Sequence, residues 1–371
     1  MTSVQRELLN SIRVNLWGEG EFFLPANEVL EEAKTQAVVP MIATGGMEAS
    51  QYTVHFIRIL YAQDELVSLF QDAGIPMVIL KGAAAAVYYA EPMQRTMGDI
   101  DLIVPPTQFP AAQTLLKKSG YKSETEDAEK AEGRHVAFQK DGITVELHRR
   151  FSSEGINVES YVLRGLEHSE EAVLSGHRFS MLPPLENGLV LLAHVAQHLR
   201  NELGLRQMID WMMYVHAKLS DEYWETTFRA AAEECGLETL AITASRLCQK
   251  YLGLPDSSTW WDAADDKLVD DLLDNLLITG NFGHVHGSGS SVETVVTNIK
   301  RTGLLRYLQQ QGENNWKAYQ KHGYLKPICW AYQICRLVYR GFKTNRNWFE
   351  LASDYQRSSS RYDLLTRLGI D

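Results

Sequence analysis

Two spacings of apolar residues divide the chain. Up to about residue 155, runs of period two alternate with helical spacing; beyond Pro183-Pro184 only the helical spacing continues. Ile75 to Leu80 is a short apolar run that stops at Lys81-Gly82. Further on, Ile100, Leu102 and Val104 alternate with Asp99 and Asp101, so a strand here puts the aliphatic side chains on one face and both acids on the other. Residues 135–140 and 143–148 alternate on either side of Asp141-Gly142, a strong hairpin signal. In the second of these runs Ile143, Val145 and Leu147 share a face, and Thr144, Glu146 and His148 share the opposite one. Helical spacing marks residues 4–17, 25–32, 54–70 (through Val54, Ile57, Leu60, Tyr61, Val67 and Phe70) and 106–119. It returns over 185–199, 206–218, 221–235, 237–252 and 264–279, and in the last helices around Trp330 to Lys343. Residues 43–47 read as a joint, and the acidic stretch 124–132 as a solvated loop.

The pattern predicts an α+β protein: N-terminal helices over 1–50, a small mixed-sheet core over 51–155, and an all-α domain over 180–371. The polar faces carry the chemistry. Two neighbouring aspartates on an apolar strand repel each other unless a cation sits between them, and oxygen ligands suit a hard divalent ion such as Mg²⁺. If the hairpin lies beside the Asp99–Asp101 strand, Glu146 joins them as a third acid. Lys81, Gly82 and Ala83 open a helix whose first amides point outward, an arrangement that attracts phosphate. Arg95, four residues before Asp99, adds a fork-shaped donor. The competing reading makes Asp99–Asp101 a wet edge strand and Gly82 a packing turn.

These residues resemble a known family. An apolar strand ending in Lys81-Gly82-Ala83, then Arg95, then Asp99-Ile100-Asp101-Leu102-Ile103-Val104, and later Glu146 followed by His148 look like the nucleotidyltransferase-like family of the polymerase-beta superfamily. The resembling core covers roughly residues 55–150, with weaker touches at His194 to His198, Asp210 and Gly280-Asn281-Phe282-Gly283. Two departures stand out: no serine follows Gly82, and sixteen residues separate Gly82 from Asp99. The resemblance implies a mixed-sheet nucleotidyltransferase core. It also implies Asp99, Asp101 and Glu146 as catalytic and metal-holding residues for one or two Mg²⁺ ions. Lys81, Gly82, Ala83, Arg95 and His148 would be nucleotide-binding, with a nucleoside triphosphate as substrate and a hydroxyl on a small molecule or protein as acceptor. The missing serine supports an alternative, an inactive nucleotide-binding or protein-interaction module of the same fold.

The rest of the composition narrows the picture. A formal net charge of −11 argues against broad attraction to nucleic acid. No run of eighteen apolar residues offers a membrane span, and the first residues lack the apolar stretch of a signal peptide. Cys235, Cys248, Cys329 and Cys335 show no metal or disulfide spacing and fit a reducing cytoplasm. His194 and His198 lie one helical turn apart, as zinc ligands do, but no third ligand follows at metal spacing, so they read as core or site-lining histidines. A histidine metallohydrolase built on His194, His198, His284 and His286 is a weaker third reading. Asp210 reads as a cap or an arginine partner, with Arg206 a candidate. The Gly/Ser-rich stretch 280–291 lacks the closing Gly-Lys-Ser/Thr of a phosphate loop and reads as a connector or a loop over the site.

Overall fold

The computed structural model describes residues 1–18, 24–42, 46–123, 134–152, 156–200, 203–255, 258–280, 299–300, 302–315, 326–343 and 360–370. The expectations for 124–132 and 281–291, His284 and His286 included, lie outside them. Contacts divide the chain into two units, one of residues 1–285 with Ile370 and one of 286–369 with Asp371. Within the second, helices Leu304–Asn315 and Lys326–Lys343 pack on each other.

The first unit is built on a seven-stranded mixed sheet in the order β3-β4-β5-β2-β1-β7-β6. Its strands are β1 (Val78–Leu80), β2 (Ile100–Ile103), β3 (Lys122–Ser123), β4 (His135–Lys140), β5 (Ile143–His148), β6 (Glu170–Leu174) and β7 (His177–Met181). The aspartate strand β2 lies inside the sheet, antiparallel to β1 and parallel to β5, so the edge-strand reading fails. At the β4–β5 turn Asp141 and Gly142 have φ of 51° and 75°. Two positive φ values are what a two-residue hairpin turn of matching twist demands, and they account for the Asp-Gly signal.

One face of the sheet presents Ile79, Ile100, Leu102, Phe138, Val145 and Leu147 to a single apolar core. Helices α1 (Ser3–Trp17), α2 (Asn27–Thr35) and α3 (Val39–Ile42) come first; α4 (Gly46–Asp72) and α6 (Phe109–Lys118) join that core through Phe56, Ile59, Leu60, Leu66 and Phe70 and through Ala112 and Leu116. Half of the expected stripe of α4 is in the core, Leu60 and Phe70 buried with Val67 packed against it, whereas Val54, Ile57 and Tyr61 are exposed and Phe56, Ile59 and Leu66 take their place. The i, i+3, i+4 rule is met equally well by both stripes, and the sheet selects the one with two phenylalanines.

The hairpin β6–β7 completes the sheet beyond β1, where the sequence suggested no strand. Its turn, Ser175 and Gly176, again has two positive φ values. The signal is weak because β6 is an edge strand with Glu170, Glu171 and Val173 exposed.

Helix α7 (Glu159–Glu167) precedes β6, and after β7 the unit is helical, with α8 (Pro184–Leu199), α9 (Leu205–Lys218), the short α10 (Asp221–Tyr223) and α11 (Arg229–Glu234), α12 (Glu238–Leu252) and α13 (Asp266–Thr279). Helix α8 is almost wholly buried, apolar through Leu189–Ala193, with Glu186, Asn187 and His194 as buried polar side chains. Its Asn187 amide donates to the Ala84 carbonyl at 3.0 Å, tying it to the short helix α5 (Gly82–Ala86) that follows β1. The stretch expected as one helix over 221–235 is interrupted by a wider turn at Trp224–Phe228, where Trp224 stacks on Trp260 at 4.0 Å. No described helix is long and apolar enough to cross a membrane.

Candidate active site

Strand register assembles the acids. Leu80, Asp101, Glu146 and Ala137 are successive partners across β1, β2, β5 and β4, one row on the sheet face opposite the apolar core. Asp99 precedes β2 by one residue. The ligating oxygens of Asp99, Asp101 and Glu146 all lie within 4.8 Å of one another. Three carboxylate oxygens so close form a donor set that fits a hard divalent cation.

Cations already stand among them. Lys81 Nζ is 2.7 Å from Asp101 Oδ1, and His148 Nε2 is 2.8 Å from the same oxygen. Lys81 itself has φ 50° and ψ −132°, a backbone region sparsely used by residues other than glycine. Such a conformation costs on the order of 1–3 kcal/mol and persists only where its surroundings hold it; the ion pair with Asp101 ties the Lys81 side chain in place there. His148 Nε2 also lies 3.3 Å from Glu146 Oε2, and His135 Nε2 lies 3.5 Å from Glu146 Oε1.

These neighbours separate the three carboxyls electrostatically. Burial opposes ionisation of Asp101, but Lys81 and then His148 outweigh it and hold Asp101 well below the usual carboxylate range. Burial likewise works against Glu146, and the His148 ring beside it brings the carboxyl below its ordinary value. Asp99 goes the other way: burial first, then the charge on Asp101, push it up despite Lys81. His148 is itself raised, its burial overcome by Asp101 and Glu146.

Arg95 is placed differently from expectation. Its Nε and Nη2 donate to Asp210 Oδ1 and Oδ2, both at 2.8 Å, and the pair is buried. Nη1 points to the Thr96 carbonyl and the Met97 sulfur at 3.3 and 3.4 Å. The fork expected to face phosphate is thus turned on a carboxylate from α9, 115 residues further along the chain. Asp210 has Arg95 as its bidentate partner and also accepts from the Tyr89 hydroxyl at 2.8 Å, while Arg206, the partner the sequence suggests, lies near enough for the Asp210 charge to act on it.

A cavity joins these groups. Its lining takes in Lys81, Gly82, Arg95, Asp99, Asp101, Glu146 and His148. The same cavity contains residues that sequence reasoning did not assign to it, among them Arg134, His135, Gln197 and Arg206. His135 was within reach: pairing residues backward from Asp141-Gly142 brings it opposite His148. Arg206 carried no such signal, since its approach to Gly98 depends on how α9 packs. Ala83 is buried behind Gly82 and is not among the lining residues.

His194 and His198 also line the cavity, their rings edge to face at 4.5 Å. Burial, then the charges of His198 and Lys81, hold His194 well below its ordinary value. The histidine and carboxylate groups gathered at metal-binding distance among the described residues do not include either of them.

Known proteins resemble this chain to different degrees. No curated protein matches the sequence. In structure it is similar to the antibiotic-resistance factor ANT(2'')-Ia, with a TM-score of 0.35 and 13% identity over 51% of this chain and 94% of that one. It is also similar to an antigenic nucleotidyltransferase-like protein from Paracoccidioides brasiliensis, with a TM-score of 0.34 and 14% identity over 56% and 93%. Likenesses this loose carry no argument about activity. The family model described as "Uncharacterised nucleotidyltransferase" matches residues 26–253, which is more than half of the sequence and includes every residue of the acidic row. The chain belongs to that nucleotidyltransferase family.

Proposed function

We propose that the protein is a Mg²⁺-dependent nucleotidyltransferase that moves a nucleotidyl unit from a nucleoside triphosphate to an acceptor hydroxyl. The observation that carries this reading is the pairing of Asp101 with Glu146 in register on adjacent strands, with Asp99 completing the trio. Asp99 and Asp101 would hold the ion, and Glu146 a second one. When bound, such ions neutralise the phosphate charge and stabilise the attacking and leaving oxygens.

The chain's own groups have complementary work. Lys81 stands at the turn before Gly82, and its Nζ is positioned to pass from Asp101 to a phosphate oxygen when a cation takes the carboxylate. An added Cβ at Gly82 would meet only the Asp99 carbonyl at 3.9 Å, so the backbone there is open to a ligand. His148 orients Asp101 and Glu146 through its Nε2. Arg95 contributes positive charge from behind, held by Asp210, and is not a direct fork. In the transfer the acceptor oxygen bonds the α-phosphorus, the bond to the bridging oxygen breaks, pyrophosphate departs and the acceptor proton passes to Glu146. The acceptor is a small molecule or a protein side chain. Reaction without a membrane or nucleic acid fits the charge balance.

One observation favours the inactive alternative. Lys81 and His148 both satisfy Asp101 internally, as they would in a module that no longer needs metal. Calorimetry distinguishes the two. The enzyme reading expects Mg²⁺ to strengthen nucleotide binding and Asp101→Asn to abolish that dependence. Nucleotide binding that ignores Mg²⁺ in the parent would favour the module.

A further inference from the structure

We propose a second cation site of a different chemical class beside the carboxylates. His135, Glu146 and His148 form a two-nitrogen, one-carboxylate set for a first-row transition ion of the kind imidazole prefers, such as Zn²⁺ or Co²⁺. The inference shares Glu146 with the function proposed above and does not depend on transfer.

Register puts the two histidines together. They are direct cross-strand partners on β4 and β5, on the same face as Glu146, with ring centroids 5.0 Å apart. Each ring presents Nε2 to a different oxygen of one carboxylate, at 3.5 Å from His135 and 3.3 Å from His148. These separations exceed the roughly 2.7–3.2 Å of N–H···O bonds. Each is close to the edge of a tetrahedron about zinc, where bonds of about 2.0–2.1 Å separate ligand atoms by about 3.3 Å, and a small turn of the carboxyl gives both rings the same oxygen. All three donor atoms lie within 4.8 Å of one another. By contrast, His148 meets Asp101 at an ordinary hydrogen-bond distance of 2.8 Å. One nitrogen thus has two alternative partners. An ion on His135, Glu146 and His148 takes His148 Nε2 away from Asp101 and leaves that carboxylate to the neighbouring oxygen site. Three protein ligands leave a position open for water or substrate, the pattern of a reactive site and not of a closed structural one.

Co²⁺ added to chelator-treated full-length protein tests this without nucleotide. The expected result is one equivalent that gives the strong visible absorption of low-coordinate, nitrogen-ligated cobalt, whatever further cobalt the carboxylates take up. His135→Leu should weaken binding by at least the roughly 10–100-fold seen when even a ligand's support is lost, while Asp99→Asn should leave the spectrum in place. The weak spectrum of hydrated cobalt in the parent would overturn the site, as would unchanged affinity in His135→Leu or loss of the spectrum in Asp99→Asn. X-ray absorption of the zinc-loaded parent needs no variant. It should show imidazole scattering from two rings, and an oxygen-only shell would refute the proposal even if His135→Leu fails to fold. Because neither readout follows transfer, a failure here leaves the nucleotidyltransferase reading in place, and the reverse also holds.

Discussion

Asp210→Asn tests how the acidic site is anchored to the helices. The substitution keeps the side-chain shape and removes the charge. In the parent, Arg95 and Asp210 are 3% and 1% exposed and share two bonds of 2.8 Å. At about 4 Å between charge centres and an effective dielectric near 20, their attraction is about 4 kcal/mol. An asparagine accepts one guanidinium hydrogen but turns its own amide toward the other, leaving a buried, uncompensated cation. Breaking a buried pair from one side costs about 3–5 kcal/mol. At about 2–4 °C per kcal/mol, the melting temperature should fall by about 6–20 °C. Replacing both partners, Arg95→Met with Asp210→Leu, removes the charge problem and leaves the Tyr89 hydroxyl without its acceptor, a loss of about 1–3 kcal/mol. The double variant should therefore melt above Asp210→Asn. Differential scanning calorimetry of the three proteins decides it. A melting point for Asp210→Asn within about 2 °C of the parent, less than 1 kcal/mol on the same scale, would refute the reasoning, as would a double variant no better than the single one.

Three further outcomes are expected. Gly188→Ala places a methyl 2.3 Å from the buried Tyr214 ring, whose hydroxyl donates to the Pro184 carbonyl, so denaturant melts should show at least the roughly 1–3 kcal/mol cost of overpacking; a neutral result would mean α8 and α9 pack differently. His194 has its folded value depressed, so below about pH 6.5 the unfolded chain binds the extra proton and stability falls with pH, by up to about 1.4 kcal/mol per unit. His55 and His135, shifted the same way by burial, leave a residual slope, and His194→Gln should lose only its own share; identical slopes between pH 7 and 5.5 would contradict this. Lys81→Ala should weaken Mg²⁺–nucleotide binding by about 1–3 kcal/mol in calorimetry, and an unchanged dissociation constant would confine Lys81 to its ion pair with Asp101.

The legible part of this protein is what short-range geometry determines. Alternation in β2 and β5 separated the core residues from the acids, and Asp141-Gly142 fixed the hairpin register. Those two facts bring Asp101 and Glu146 onto one face once the strands are neighbours, although nothing local says that β5 pairs with β2. Hairpin β6–β7 is hard to read in the sequence because an edge strand with one wet face has little apolar alternation to show. The pairing of Arg95 with Asp210 was illegible for another reason: a buried charge finds its partner through helix packing, not spacing. On α4 the apolar residues supported two stripes, and only the sheet beneath chose between them.

The central claim is that the Asp99, Asp101 and Glu146 row performs transfer, and pyrophosphate release from each of the four labelled nucleoside triphosphates, with water as default acceptor, tests it most directly. The account predicts slow, Mg²⁺-dependent release by the parent, cut by roughly 10²–10⁴-fold in Glu146→Gln, the usual effect of losing a general base, with nucleotide binding nearly intact. Release by none of the four with any divalent ion, from a parent that still binds nucleotide tightly, would contradict the enzyme and leave the binding module.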